Sequence, residues 1–214
     1  MTSNIMQTDN SVNSAWSFQA GDLALDFANT VDWHASDHPE ELLNTYIDLV
    51  NWSCDYSLLT SDEAQPLITK AEKQPKSAMK ALERAITLRK SIYRIFSAIA
   101  SDIQPGDEDL DKLKVFWGEA VGAATMISQG KRFTWTWKGQ PLTLDQMLWP
   151  ICFAAVNLLF SKNLSQVGQC ADDRGCGLLF IDTSRNHSRQ WCDMNSCGNR
   201  AKAQRHYHRI KNKS

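Results

Sequence analysis

Apolar side chains return every three or four residues between Lys76 and Ser101. Leu82, Ile86, Tyr93, Phe96 and Ala100 predict one long helix with a broad apolar stripe, and Arg89 falls in the middle of it. Pro39 in a first turn, followed by Leu42, Leu43, Tyr46, Leu49 and Val50, predicts a helix before it. Thr60 and Glu63 have the spacing of a capping box and open a helix to about Lys73. Beyond the turn at Pro105-Gly106 a further helix is expected from Asp109 to Met126. From Lys131 to Gly139 the period changes to two. Phe133, Trp135 and Trp137 then lie on one face of a half-buried strand, and Gly139-Gln140 supplies a hairpin turn. Thr143 and Gln146 form a second capping-box pattern ahead of Leu148, Ile151, Ala155, Leu158 and Leu159. That helix is apolar around its circumference and is expected to be the central core helix. Residues 1–15 carry no pattern and read as a flexible arm. The fold class expected is mainly α with a small β-hairpin (α+β).

The last forty-five residues follow a different rule. Leu178–Ile181 is a short apolar strand, Asp182–Ser188 a polar turn, and Gln190-Trp191-Cys192 is expected to return antiparallel to the strand. A helix follows Cys197. On its wheel Ala203, Tyr207 and Ile210 share one face, with Lys202, Arg205 and Arg209 roughly opposite. Cys170/Cys176 and Cys192/Cys197 make two close pairs separated by fifteen residues. Two short loops each delivering two thiolates suit one tetrahedral Zn²⁺. So small a segment cannot bury enough apolar surface to hold itself together, and a metal tying hairpin to helix supplies the deficit. The expected module is a small treble-clef-like zinc finger after a helical N-terminal domain.

Composition sharpens this picture at two points. The formal net charge is −1, but from Cys170 onward nine Lys/Arg face four Asp/Glu. A basic excess on the metal module points to a polyanionic partner. The N-terminus has neither a basic nor an apolar leader region, and the apolar run Met147–Phe160 is too short to span a bilayer. A cytoplasmic protein with reduced thiols is expected, without a membrane partner, which favours zinc over disulfides. Cys54 and Cys152 stand alone in helical patterns, as buried small hydrophobes do.

The string from Phe180 through the tetrapeptide Cys197-Gly198-Asn199-Arg200 closely resembles the CGNR zinc finger, with Asp182, Ser184, Arg189 and Trp191 in the family's positions and Gln190 where members carry a second Arg. Near the other end, Gly21-Asp22-Leu23-Ala24-Leu25-Asp26-Phe27-Ala28-Asn29-Thr30 resembles the opening motif of the ABATE domain. The resemblance implies a stress-linked transcription regulator. The organisation expected is an arm over 1–15, a helical ABATE-like domain over 16–164, and the finger over 165–214, with Cys170, Cys176, Cys192 and Cys197 holding one structural zinc. Candidate contacts to nucleic acid, duplex DNA first, are Arg185, Arg189, Lys202, Arg205 and Arg209. Arg200 is expected to be structural, bonded to Asp182. Asp26, Asn29, Thr30 and Arg89 are polar groups in apolar segments. They are candidates either for a pocket holding a small polar or anionic effector, with Asp26 and Arg89 paired, or for a purely structural network. The alternative function is a zinc-stabilised docking module that binds protein and not DNA. No phosphate loop, nucleophile elbow or HExxH helix is present, and four cysteines leave zinc no open position, so no enzyme is expected.

Overall fold

A computed structural model of the chain describes residue 16, residues 18–139 and residues 142–211. The expected arm over 1–15 lies outside them, as does Gln140 of the expected hairpin turn. Helix α1 (Leu23–Ala28) starts at Asp22, whose side chain accepts from the Ala24 amide, and buries every residue from Ala24 to Ala28. Two-residue strands β1 (Val31–Asp32) and β2 (Glu40–Glu41) pair antiparallel. The helix expected from Pro39 therefore begins later. Helix α2 (Tyr46–Asp55) opens at a capping box built by Thr45 and Asp48, and the chain before it is extended. Helix α3 (Ser61–Lys73) has the expected Thr60–Glu63 box.

Helix α4 (Pro75–Ala100) takes Pro75 in its first turn and spans 26 residues. It is the axis of the fold, packing against α1, α2, α3, helices α5 (Asp107–Ala123) and α6 (Leu148–Leu159), and the strands of the C-terminal module. That place was expected for α6. The buried line on α4 is also rotated from the expected stripe: Ala81, Ala85, Leu88, Ile92, Ile95 and Phe96 are inside, whereas Leu82, Ile86 and Tyr93 are half-buried. Alanines let neighbouring helices approach closely, and each large apolar side chain buried here contributes about 1.5–3 kcal/mol.

Helix α5 ends at Ala123, three residues short of the expected end. Thr125–Gln129 is instead strand β3, paired in register with β4 (Arg132–Thr136). The hairpin turn therefore lies before the aromatic strand, at Gly130-Lys131, and not at Gly139. Trp135 and Trp137 pack on Phe153 of α6 at 5.8 and 5.4 Å between ring centres, and the Trp137 indole donates to the Ala120 carbonyl at 2.9 Å. Phe133, expected on the same covered face, is 72% exposed. No helix among the described residues is long and apolar enough to cross a membrane.

Candidate metal centre and basic face

The C-terminal module opens with β5 (Val167–Gln169), which pairs antiparallel with β6 (Leu179–Ile181). The expected partner of β6 was the segment 190–192. That segment touches the module elsewhere, where the Ala171 amide donates to the Gln190 carbonyl at 2.8 Å. Val167, Leu179 and Ile181 join the core of the helical domain, while Leu178 and Trp191 pack around the cysteines. The free edge of β6 is closed from α1: the Asn29 amide donates to the Leu179 carbonyl and its oxygen accepts from the Leu179 amide, both at 2.9 Å. The Ile181 amide donates to the Ala20 carbonyl at 2.7 Å. Module and helical domain are therefore stitched together by hydrogen bonds from the Asn29 side chain and the Ala20 backbone to the backbone of β6.

Each cysteine pair is set by a local device. Between Cys170 and Cys176, the buried Asp172 accepts from the Arg174 amide at 3.1 Å and closes a tight turn. After β6, the Asp182 carboxylate accepts from the Ser184 and Arg189 amides at 2.8 Å each, fixing the loop that returns to Cys192. Burial acts to raise the Asp182 pKa, but those hydrogen bonds prevail and hold it below the usual carboxylate range. Asp193 accepts from the Ser196 amide at 2.7 Å and opens a π-turn, Met194–Gly198, that runs into helix α7 (Asn199–Lys211). The Asn199 side chain donates to the Asn195 carbonyl at 3.1 Å.

The four cysteine sulfurs lie within 4.8 Å of one another, with Cys176–Cys192 and Cys192–Cys197 both at 3.6 Å. A tetrahedral Zn²⁺ with Zn–S bonds of about 2.3 Å places its sulfurs about 3.8 Å apart, so the donor set fits the ion in size and chemistry.

Arg200 braces this centre. It donates to the Asp172 carboxylate at 2.9 Å and to the Cys197 sulfur at 2.8 Å, so its partner is Asp172 and not the expected Asp182. Burial alone would raise the Asp172 pKa, but bonds from Arg174 and Arg200 bring it to about 2. Arg189 is also engaged internally. It donates to the carbonyls of Trp191 and Cys192, and its guanidinium stacks 4.3 Å from the Phe180 ring centre. The remaining basic candidates, Arg185, Lys202, Arg205 and Arg209, are exposed. Among the described side chains of α7, Arg200, Ala201 and Gln204 are half-buried; Lys202 and Arg209 project from the far side, and Arg205 lies on the flank, its guanidinium carbon 5.5 Å from the Trp191 ring centre. Ala203, Tyr207 and Ile210, expected to be the packed face, are exposed, Tyr207 at 64% and Ile210 at 54%.

Residues 166–210 match the CGNR zinc finger. Residues 21–162 match ABATE, a family described as "Putative stress-induced transcription regulator". The chain belongs to the ABATE family. No curated protein matches it.

The ABATE domain does more than carry the finger, because it builds one wall of the metal loop. The His34 and Ala35 amides donate to the carbonyls of Cys176 and Gly175 at 3.0 Å each. Gly175 and Gly177 have φ of +93° and +65°, and a Cβ on either would lie 2.5 Å from Ser36 Cα or 2.7 Å from Ala35 Cβ. Glycine is required there by both conformation and space. Trp33 lies between Arg174 and Arg200, 5.5 and 5.2 Å from their guanidinium carbons. From α4, the Tyr93 hydroxyl donates to the Gly177 carbonyl at 3.0 Å, and its ring stacks on His34 at 3.3 Å. Burial lowers the His34 pKa to about 4, so this imidazole is neutral at pH 7.

The four polar candidates of the ABATE domain do not share one cavity wall. Asp26 accepts from the Ala20 amide at 2.9 Å and from the Tyr56 hydroxyl at 3.3 Å. Arg89, 1% exposed, donates to the Thr30 carbonyl and hydroxyl and forms a two-pronged pair with Glu41. Its ion partner is thus Glu41 and not Asp26. The Asn29 side chain is taken up by Leu179 of β6. Periodicity could not identify Glu41, Trp33, Asp172 or Tyr93, since each acts through a contact distant in sequence or within a turn.

Proposed function

We propose that the chain is a DNA-binding transcription regulator whose zinc finger contacts the phosphates of duplex DNA and whose ABATE domain receives the signal. The single observation that carries this reading is the far face of α7. Lys202, Arg205 and Arg209 line one exposed stripe; Lys202 and Arg209 are directed away from the residues that dock α7, and Arg205 lies at the stripe's edge, over the Trp191 ring. Arg185, exposed in the turn after β6, adds a further cation. Arg189 is left out of the contact set because its guanidinium already serves the Cys192 loop. Zinc here is structural: it cross-links the loops, and four sulfur ligands leave no position for water or substrate, so the proposed role is non-catalytic.

The stitched boundary supports the regulatory half of the proposal. Because β6, Gly175 and Gly177 lean on Asn29, Ala35 and Tyr93, a change in the ABATE domain shifts the finger's position directly. A second reading, docking to a protein, has its own observation in the exposed Tyr207 and Ile210 beside the basic stripe. Titration of the zinc-loaded protein with nonspecific duplex DNA at two salt concentrations separates the two. Binding that weakens steeply with salt supports phosphate contacts. Absence of binding at low salt favours the docking reading.

A further inference from the structure

A cavity of about 310 Å³ opens between the N-terminus of α3, strand β4 and the start of α6, away from the metal centre. Three indoles, Trp135, Trp137 and Trp149, line it, and Glu63 and Lys138 stand among its polar lining. The Trp137 nitrogen is taken by Ala120, so that ring offers the cavity its π surface and edge. Glu63 is held rigidly, because one carboxylate oxygen accepts from both the Thr60 amide at 2.8 Å and the Thr60 hydroxyl at 2.9 Å. The other oxygen has no hydrogen-bond partner among the described residues. Hydrogen bonds from the Thr60 amide and hydroxyl, then the charge of Lys138, keep the Glu63 carboxyl below its ordinary range, so it is ionised at neutral pH.

We propose that this cavity is the ligand site of the ABATE domain and takes a small aromatic amine, its ring among the indoles and its ammonium on Glu63. Flat apolar walls with one fixed charge are the usual make-up of small-molecule sites, and a volume near 300 Å³ is sufficient for a single ring with a short side chain. Indole faces attract cations, and the ionised carboxylate adds a charge-assisted hydrogen bond. Lys138 partly neutralises Glu63, and the ligand's ammonium takes over that role. Asp26, Asn29, Thr30 and Arg89 are each engaged within the protein, with the Arg89 Nε left buried without a partner among the described residues, and they line no part of this cavity.

The proposal rests on the reading of the ABATE domain as the sensing part. Calorimetric titration of the full zinc-loaded chain with phenethylamine, its neutral isostere 2-phenylethanol, and 3-phenylpropionate tests it without recourse to DNA. The amine is expected to bind roughly tenfold more tightly than the alcohol, and the acid least. Glu63→Gln retains the capping box, since glutamine serves at that position too, and should reduce the amine to the level of the alcohol. No saturable binding, equal binding of amine and alcohol, or an unchanged amine affinity in Glu63→Gln would each overturn the proposal. DNA affinity with and without amine is measured separately. A bound amine that leaves it unchanged would refute the sensing reading while leaving the site in place.

Discussion

Two buried charges of the ABATE domain contribute in opposite senses. Arg89 is enclosed, and Glu41, itself bonded to the Leu43 amide, is its counter-ion. Glu41 is 35% exposed and is partly rehydrated when its partner is removed, so the cost of breaking the pair lies at the low end for buried pairs, about 3 kcal/mol. Arg89→Met should therefore lower stability by about that amount in urea melts, and a loss under about 1 kcal/mol would show the pair to be dispensable. Asp26 works the other way. Burial is the largest influence on it and raises its pKa to about 6, against the hydrogen bonds from Ala20 and Tyr56. A carboxyl whose folded pKa is raised contributes its stability below the unfolded value near 4 and loses it as pH rises through about 6. Wild-type stability should thus fall relative to Asp26→Asn between pH 4 and pH 7.5, by on the order of 2 kcal/mol. Parallel denaturation curves at the two pH values would contradict the buried, ionised state of Asp26 at neutral pH.

Among the elements, β5 and β6 belong to two bodies at once, to the finger by chain continuity and to the helical core by packing. Their sulfur-bearing neighbours are expected to depend on metal, and the strands themselves on the helical core. Cys192→Ser should release the loops and α7 while the Leu179 and Ile181 amides, bonded to Asn29 and Ala20, stay protected from hydrogen exchange. Loss of protection at Leu179 together with α7 would mean that the whole module unfolds as one unit. The same elements show how far the sequence could be read. Cysteine spacing marked the metal loops, Thr60 and Glu63 marked the start of α3, and an unbroken helical period marked α4. What escaped was short or non-local. The partner of β6 is a three-residue strand with too few positions to display a period. The rotated buried line of α4 runs through alanines, whose size gives little signal although their contacts are close. Arg189 read as a phosphate contact because charge alone does not reveal that neighbouring carbonyls have claimed it. The alternating pattern alone puts the hairpin turn one strand too late, since Gly139 and Gly130 are equivalent as turn residues until the partner strand is known.

At the scale of the whole molecule, the metal loop, α1 and α4 form one connected structure, and the basic stripe of α7 projects from it. That arrangement gives the finger a defined orientation, which a regulator needs if a signal in one part is to alter contacts made by another. If the stripe meets DNA phosphates as proposed, binding weakens with salt in proportion to the contacts it makes. Fluorescence anisotropy with a labelled nonspecific duplex, for the parent and for the Lys202→Ala, Arg205→Ala, Arg209→Ala triple variant, gives the slope of log affinity against log salt. Each phosphate contact contributes about 0.9 to that slope, so the triple variant should bind more weakly with a slope shallower by up to about three. A variant that keeps its zinc and its fold yet matches the parent in both affinity and slope would contradict the account.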